Sequence, residues 1–229
     1  MNNKSRPRST FAEKAVDYFL NLSSPRDLPA NIGTMNPYES GEVKKVIVKF
    51  YKKFFNDNRE RIFLLGINPG RFGGGVTGIS FTDPVALEEY CGIKNSFDKK
   101  TELSSKFVYS FIRSYGSTEE FYSRFYISAL YPLALIKDGK NYNYYDDKKT
   151  YWYLKPFIAD ALKKQVSFGS SPGFAVSLGR KNYKYLKEIN DELKLFEKIY
   201  MLDHPRFIMQ YRQKRVPDYI NEYLNVCRQ

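Results

Sequence analysis

The feature that most constrains the fold is a short unbroken apolar run, Arg61-Ile62-Phe63-Leu64-Leu65-Gly66-Ile67-Asn68, stopped by Pro69-Gly70. A strand with one wet face alternates apolar and polar residues, so a run this short without alternation predicts a strand buried on both faces. Three comparable runs follow at Phe125 to Tyr131, Phe174 to Leu178 and Ile199 to Asp203. Between them, apolar residues at helical spacing predict helices around Ser104 to Tyr115, Lys149 to Gln165 and Lys181 to Leu195. Upstream, Thr10 to Leu22 and Glu42 to Phe55 show the same period, separated by a loop through Pro25, Pro29 and Asn36-Pro37-Tyr38.

Strands alternating with helices imply an α/β protein, a three-layer α/β/α sandwich around a mostly parallel, four-stranded sheet. No repeat, low-complexity tract or linker interrupts the pattern, so residues 1–229 are expected to form one domain, with 1–10 a frayed basic terminus. Ligands of such sheets bind outside the carboxyl ends of the strands. That rule brings Asn68, Ser128 to Tyr131, Gly179-Arg180 and His204 to one rim.

Composition narrows the ligand. A formal charge of +12 attracts polyanions, nucleic acid first and anionic membrane second, although lysine-rich surfaces also serve solubility. Twenty Tyr and eighteen Phe exceed what a core of this size needs, so some rings are expected at the surface, where bases could stack on them. Cys91 and Cys227 stand far apart without a CxxC partner, which leaves no thiolate set for zinc or iron–sulfur and fits a reducing cytoplasm. Met1 to Thr10 lacks an apolar core of a signal peptide, and nowhere do about eighteen apolar residues run together. Neither export nor a membrane span is expected.

The segment from Gly66 to Phe81, GINPGRFGGGVTGISF, follows the first strand directly. Its glycines let backbone approach a ligand closely and expose N–H donors. It has neither the Gly-Lys-Ser/Thr ending of a Walker A loop nor GxGxxG spacing, so nucleotide hydrolysis is disfavoured. A flexible surface loop would explain the glycines but not Asn68 at a strand end or Phe81 beyond a polar loop.

This segment resembles the first motif of the uracil-DNA glycosylase superfamily in its single-strand-selective monofunctional (SMUG-like) branch, Gly-Met-Asn-Pro-Gly-x-Phe-Gly followed by Thr-Gly and a later Phe. Gly66, Asn68, Pro69, Gly70, Phe72, Gly73, Thr77, Gly78 and Phe81 match in register. Asp203-His204-Pro205-Arg206 resembles the family's His-Pro-Ser-Pro segment, and Val176-Ser177-Leu178-Gly179-Arg180 the strand and turn before it. Echoes at Asn36-Pro37 and Tyr131-Pro132-Leu133 extend the resemblance over about residues 36 to 225.

The resemblance implies base excision from DNA carrying uracil or another deaminated base, single- or double-stranded, by a monomeric enzyme that needs no cofactor and no metal. Asn68 would orient the attacking water; an amide is no strong base, so the transition state would be dissociative. His204 is the chain's only histidine. A lone histidine is usually structural, but here the motif implies that it donates to the base carbonyl as negative charge develops, a role worth about 3 kcal/mol per donor. Phe81 would stack on the flipped base, and backbone N–H groups of Gly70, Arg71 and Phe72 would meet its polar edge; the alternative for Phe81 is a core aromatic. Arg206, Phe207, Tyr211, Arg212, Lys214 and Arg215 interleave basic and apolar side chains, as a wedge contacting phosphates would. The alternative is an amphipathic final helix buried through Phe207 and Met209, and the family's Ser-Pro-Arg-Asn is missing here.

Base choice is the largest departure. The family places an Asn at the end of the second strand, whereas this chain reads Tyr126-Ile127-Ser128-Ala129-Leu130-Tyr131-Pro132. Two registers put Ala129 or Ser128 at that site, and Ser128 is preferred because its hydroxyl can still donate or accept. The rival functions are a same-fold enzyme for xanthine or hypoxanthine and a catalytically silent single-strand binder.

Overall fold

The computed structural model describes residues 9–29 and 31–229; the expected frayed terminus lies outside them except for Ser9 and Thr10. Thr10 is an ordered cap, which corrects the expectation at that position. It forms a reciprocal capping box with Glu13, Thr10 Oγ1 accepting the Glu13 N–H at 3.2 Å and the Glu13 carboxylate accepting the Thr10 N–H at 2.8 Å. Helix α1 (Phe11–Leu20) starts there. In chain order there follow β1 (Ile32–Met35), α2 (Gly41–Phe54), β2 (Arg61–Gly66), α3 (Gly74–Thr77), α4 (Pro84–Glu89), α5 (Leu103–Tyr115), α6 (Thr118–Arg124) and β3 (Phe125–Ala129). The remainder comprises β4 (Ala134–Lys137), β5 (Lys140–Tyr142), α7 (Lys148–Val166), β6 (Ser170–Leu178), α8 (Arg180–Leu193), β7 (Lys198–Leu202), α9 (Pro205–Tyr211) and α10 (Val216–Cys227).

The four runs read as strands pair in the order β3-β2-β6-β7, all parallel. Strand β2 lies between β3 and β6, with Leu64 opposite Ile127 and Val176, and every one of its residues is buried. The chain moves outward from β2 to β3 and then crosses over to β6, so the crevice at the carboxyl ends opens beside β2. The α/β sandwich and its four-stranded sheet are therefore as expected. Strand β7 departs from the two-face burial expected of it: as an edge strand it leaves Lys198 and Met201 exposed.

Strand β2 opens on a charged residue that is fully buried. The guanidinium of Arg61 donates to both Asp57 carboxylate oxygens (2.6 and 3.0 Å) and to the Tyr122 carbonyl (3.1 Å), and lies over the rings of Phe11 and Phe55. Complete satisfaction is what makes such burial tolerable. Most aromatic residues are likewise interior; Phe72, Trp152, Tyr153, Phe207 and Tyr211 are the large exposed rings among the described residues.

A second sheet was not anticipated. Antiparallel β1, β4 and β5 form it, and β4 turns into β5 through Asp138-Gly139, both at positive φ (49° and 71°), a type I′ hairpin. It carries Asn141, Tyr142 and Asn143 to the rim of the parallel sheet.

Candidate active site

A cavity of about 390 Å³ opens at the carboxyl ends of the parallel strands, lined by Asn68, Gly70, Phe81, Glu102, Ala129 and His204 among others. Asn68 lies two residues past β2, and its Nδ2–H donates to the Tyr142 carbonyl on β5 at 3.1 Å. That bond assigns the amide: Oδ1 is the atom left over, buried and without a hydrogen-bond partner among the described residues. A buried acceptor with nothing to accept from costs about 1–3 kcal/mol, and a water molecule would relieve it.

His204 caps α9, its Nδ1 accepting the Arg206 N–H at 3.1 Å. With Nδ1 an acceptor, the ring proton resides on Nε2, so the imidazole presents a donor. Burial, reinforced by the Arg206 charge, pushes the His204 pKa down to about 4. The ring is neutral at pH 7. Its centroid lies 5.6 Å from that of Phe81, at 45°.

Phe81 is half-buried in the cavity wall, and its backbone is left-handed at φ 56°, a conformation that costs a non-glycine residue of order 1–2 kcal/mol. The surrounding turn holds it there, with Thr77 Oγ1 donating to the Thr82 carbonyl at 2.7 Å and accepting the Ile79 N–H at 3.1 Å. Gly66 makes room for the ring, since a Cβ at that position would stand 2.6 Å from Phe81 Cε2 and Cζ. The glycine-rich stretch is thus a packed turn containing α3, and the surface-loop reading does not hold.

Other expected residues fall differently. Gly70 lines the cavity, but Arg71 and Phe72 do not. The Arg71 N–H is already engaged by Asn141 Oδ1 (3.1 Å), its guanidinium stacks on the Phe72 ring and donates to the Gly139 carbonyl, and Phe72 is turned to solvent. Ser128 is corrected too: its hydroxyl donates to Gln165 Oε1 on α7 and does not line the cavity, and Ala129 is the residue in the cavity wall. Consecutive strand residues face opposite ways, so a register error of one exchanges them.

The basic segment after His204 is helical, and neither earlier description fits it fully. Ile208 is the buried anchor of α9, whereas Phe207 and Tyr211 are exposed at the cavity mouth beside Arg206, their ring centroids 5.6 Å apart. Arg212 lies over Phe207 and, with Lys214, is exposed; Arg215 is paired with Asp218 at 2.9 Å. Sequence reasoning missed Glu102, Asn141 and Asn143, all of which line the cavity. The Asp138-Gly139 hairpin signal could have found the last two.

No group of three His, Cys, Asp or Glu residues suited to hold a metal occurs among the described residues, and no described helix is long and apolar enough to cross a membrane.

Comparison of the sequence with curated proteins gives no match. The family described as the Uracil DNA glycosylase superfamily matches residues 52–228. Among solved structures, wild-type SMUG2 of Pedobacter heparinus is similar, at 41% identity and a TM-score of 0.91 over 95% of this chain and 96% of that one. Motif and fold agree with both findings: the chain is a DNA glycosylase that belongs to the uracil-DNA glycosylase superfamily, in its SMUG-like branch.

Proposed function

We propose that the protein is a monofunctional glycosylase that hydrolyses the N-glycosidic bond of uracil, or of a related deaminated base, in DNA. The observation that carries this reading is the Asn68 amide, whose Nδ2–H is tied to the Tyr142 carbonyl and whose Oδ1 has no partner among the described residues, in the wall it shares with His204 and Phe81. A water accepted by Asn68 is oriented rather than deprotonated, so bond breaking runs ahead of attack and the sugar takes on oxocarbenium character. The neutral His204 donates from Nε2 to the base carbonyl as the base leaves with the bonding electrons, for about 3 kcal/mol of transition-state stabilisation. Phe81 stacks on the flipped base, and Phe207 and Tyr211 occupy the gap it leaves.

The rest of the reading is a single-domain monomer acting without cofactor or metal, cytoplasmic and, in a prokaryote, nucleoid-associated. Ala129 in the cavity wall supports a range that includes deaminated purines, because no amide at that position pairs with the edge of uracil. The test is single-turnover excision from oligonucleotides carrying uracil, xanthine or hypoxanthine, in single and double strands, with alkali used to reveal abasic sites. Excision of none of these bases with DNA binding intact would return the protein to a silent binder, and strand scission without alkali would make it a lyase. Loss of activity in EDTA, restored by zinc, would overturn the metal-free step.

A further inference from the structure

Glu102 is the only carboxylate among the described residues that line the cavity. It stands at the N-cap of α5 but does not cap its own helix. Its side chain turns instead onto the Gly70 to Gly73 turn, where its two oxygens occupy the space that a Cβ on Gly70 or on Gly73 would need. Its backbone is fixed as well, the Glu102 N–H donating to Asp83 Oδ2 at 2.8 Å while Asp83 caps α4 just beyond Phe81. The carboxylate is therefore placed from two sides, yet neither oxygen has a hydrogen-bond donor among the described residues.

Of the remaining polar side chains of the wall, Asn68 Oδ1 is the acceptor assigned to water, Arg206 is a cation, Gln210 and Tyr211 are exposed, and the others are engaged or indifferent. Asn141 Oδ1 holds the Arg71 N–H, Asn143 is bonded to Asp146, and His204 offers only a donor. Ser80 and Ser104 carry hydroxyls, which donate or accept equally well and so distinguish little. What deamination changes in a base is specific. Cytosine N3 and adenine N1 are lone-pair acceptors, and in uracil and hypoxanthine the same atoms become N–H donors. An acceptor-only side chain attracts the product of that change and repels its parent.

We propose that Glu102 is the specificity-determining residue of this pocket, accepting a hydrogen bond from the ring N–H that deamination creates. The inference rests on the glycosylase reading of the site and names what its wall selects. It also accounts for Ala129, because a carboxylate reached from α5 replaces the amide that β3 lacks. Burial pushes the Glu102 carboxyl up from its ordinary range, with Arg206 opposing and Asp83 adding to the rise. A partly buried carboxylate without a protein donor gains from an incoming N–H, and such charge-assisted bonds are the strong ones.

The probe is a pair of matched single-stranded oligonucleotides carrying uracil or 3-methyluracil, in which a methyl group replaces the ring N–H. Native protein should excise uracil at least about 10-fold faster in single turnover. Glu102→Ala should lose that preference, and Glu102→Gln, whose amide oxygen still accepts, should keep it. The ratio is internal to each preparation, so partial misfolding of a variant does not alter it. A native ratio in Glu102→Ala, or equal excision of both bases by native protein, would overturn the proposal, as would an equal slowing on both bases with the native preference kept, which would mean that Glu102 only braces the turn. No excision of uracil, xanthine or hypoxanthine by native protein would instead sink the glycosylase reading itself.

Discussion

The Asn68 amide donates to the Tyr142 carbonyl at 3.1 Å, and this contact leaves Oδ1 as the amide atom without a partner among the described residues, the one the proposed mechanism gives to water. Asn68→Ala removes the acceptor without touching the basic surface. Single-turnover excision should fall by at least about 100-fold, the scale of losing one well-placed electrostatic group. Affinity for single-stranded DNA should stay within a few-fold. A native rate in Asn68→Ala would remove Asn68 from the mechanism.

His204 predicts the pH behaviour of both activity and stability. Its pKa falls from about 6.5 unfolded to about 4 folded, through burial and then Arg206. Between those values the unfolded chain binds the extra proton, so unfolding free energy rises with pH there and is lost as pH drops through the window, by at most about 3 kcal/mol. Above pH 6.5 the contribution is complete. The single-turnover rate should accordingly show no inflection near pH 6.5, and His204→Ala should slow base release while flattening the denaturation midpoint between pH 4 and 6.5. An excision rate that titrates near 6.5 would mean the ring is solvated and chargeable.

Gly66→Ala tests the seat of Phe81. The added methyl meets the ring at 2.6 Å, and the ring must shift because the strand cannot. The variant should fold, with loss of about 1–3 kcal/mol as for other overpacked positions, and should lose excision well beyond what the lost stability explains. Thermal denaturation alongside single-turnover rates separates the two effects.

Base choice should respond at Ala129 and not at Ser128. Ala129→Asn introduces an amide into the cavity wall and should raise the preference for uracil over xanthine, measured by competing matched oligonucleotides. Ser128→Asn enlarges a side chain that is 2% exposed and bonded to Gln165. It should lower stability by about 1–3 kcal/mol and leave the preference alone.

On the DNA-facing side, Arg206, Arg212 and Lys214 are expected to contact phosphates. Each Ala substitution should reduce the log–log salt slope of binding by roughly 0.7 to 0.9. Arg215, held by Asp218, should contribute less. A triple variant with the native slope would show these side chains to be an ordinary solvated face.

The four parallel strands were legible because each is a continuous apolar run, a pattern that few alternatives share. The rim that collects Asn68, Gly179 and His204 followed from strand polarity alone. Strand β5, Lys140-Asn141-Tyr142, is too short and polar to announce itself, and only the Asp138-Gly139 turn marked it. Ser128 and Ala129 could not be told apart, because both are buried and a fully buried strand carries no alternation from which to read its faces. Glu102 left no trace, since an acid at a helix start is ordinary and only the fold brings it onto two glycines.

The partner that orients Asn68 is a main-chain carbonyl, which every amino acid possesses. Mutation of Tyr142 to another residue leaves that oxygen in place, whereas deleting one residue from the Asp138-Gly139 hairpin shifts it out of reach. On the proposed mechanism this neighbour of the reaction is invisible to any survey of side-chain identity, and its history would be written in conserved loop length. On that mechanism, a chain retaining every motif residue but shortened in this hairpin would look like an enzyme on paper and is expected to bind damaged DNA without releasing a base.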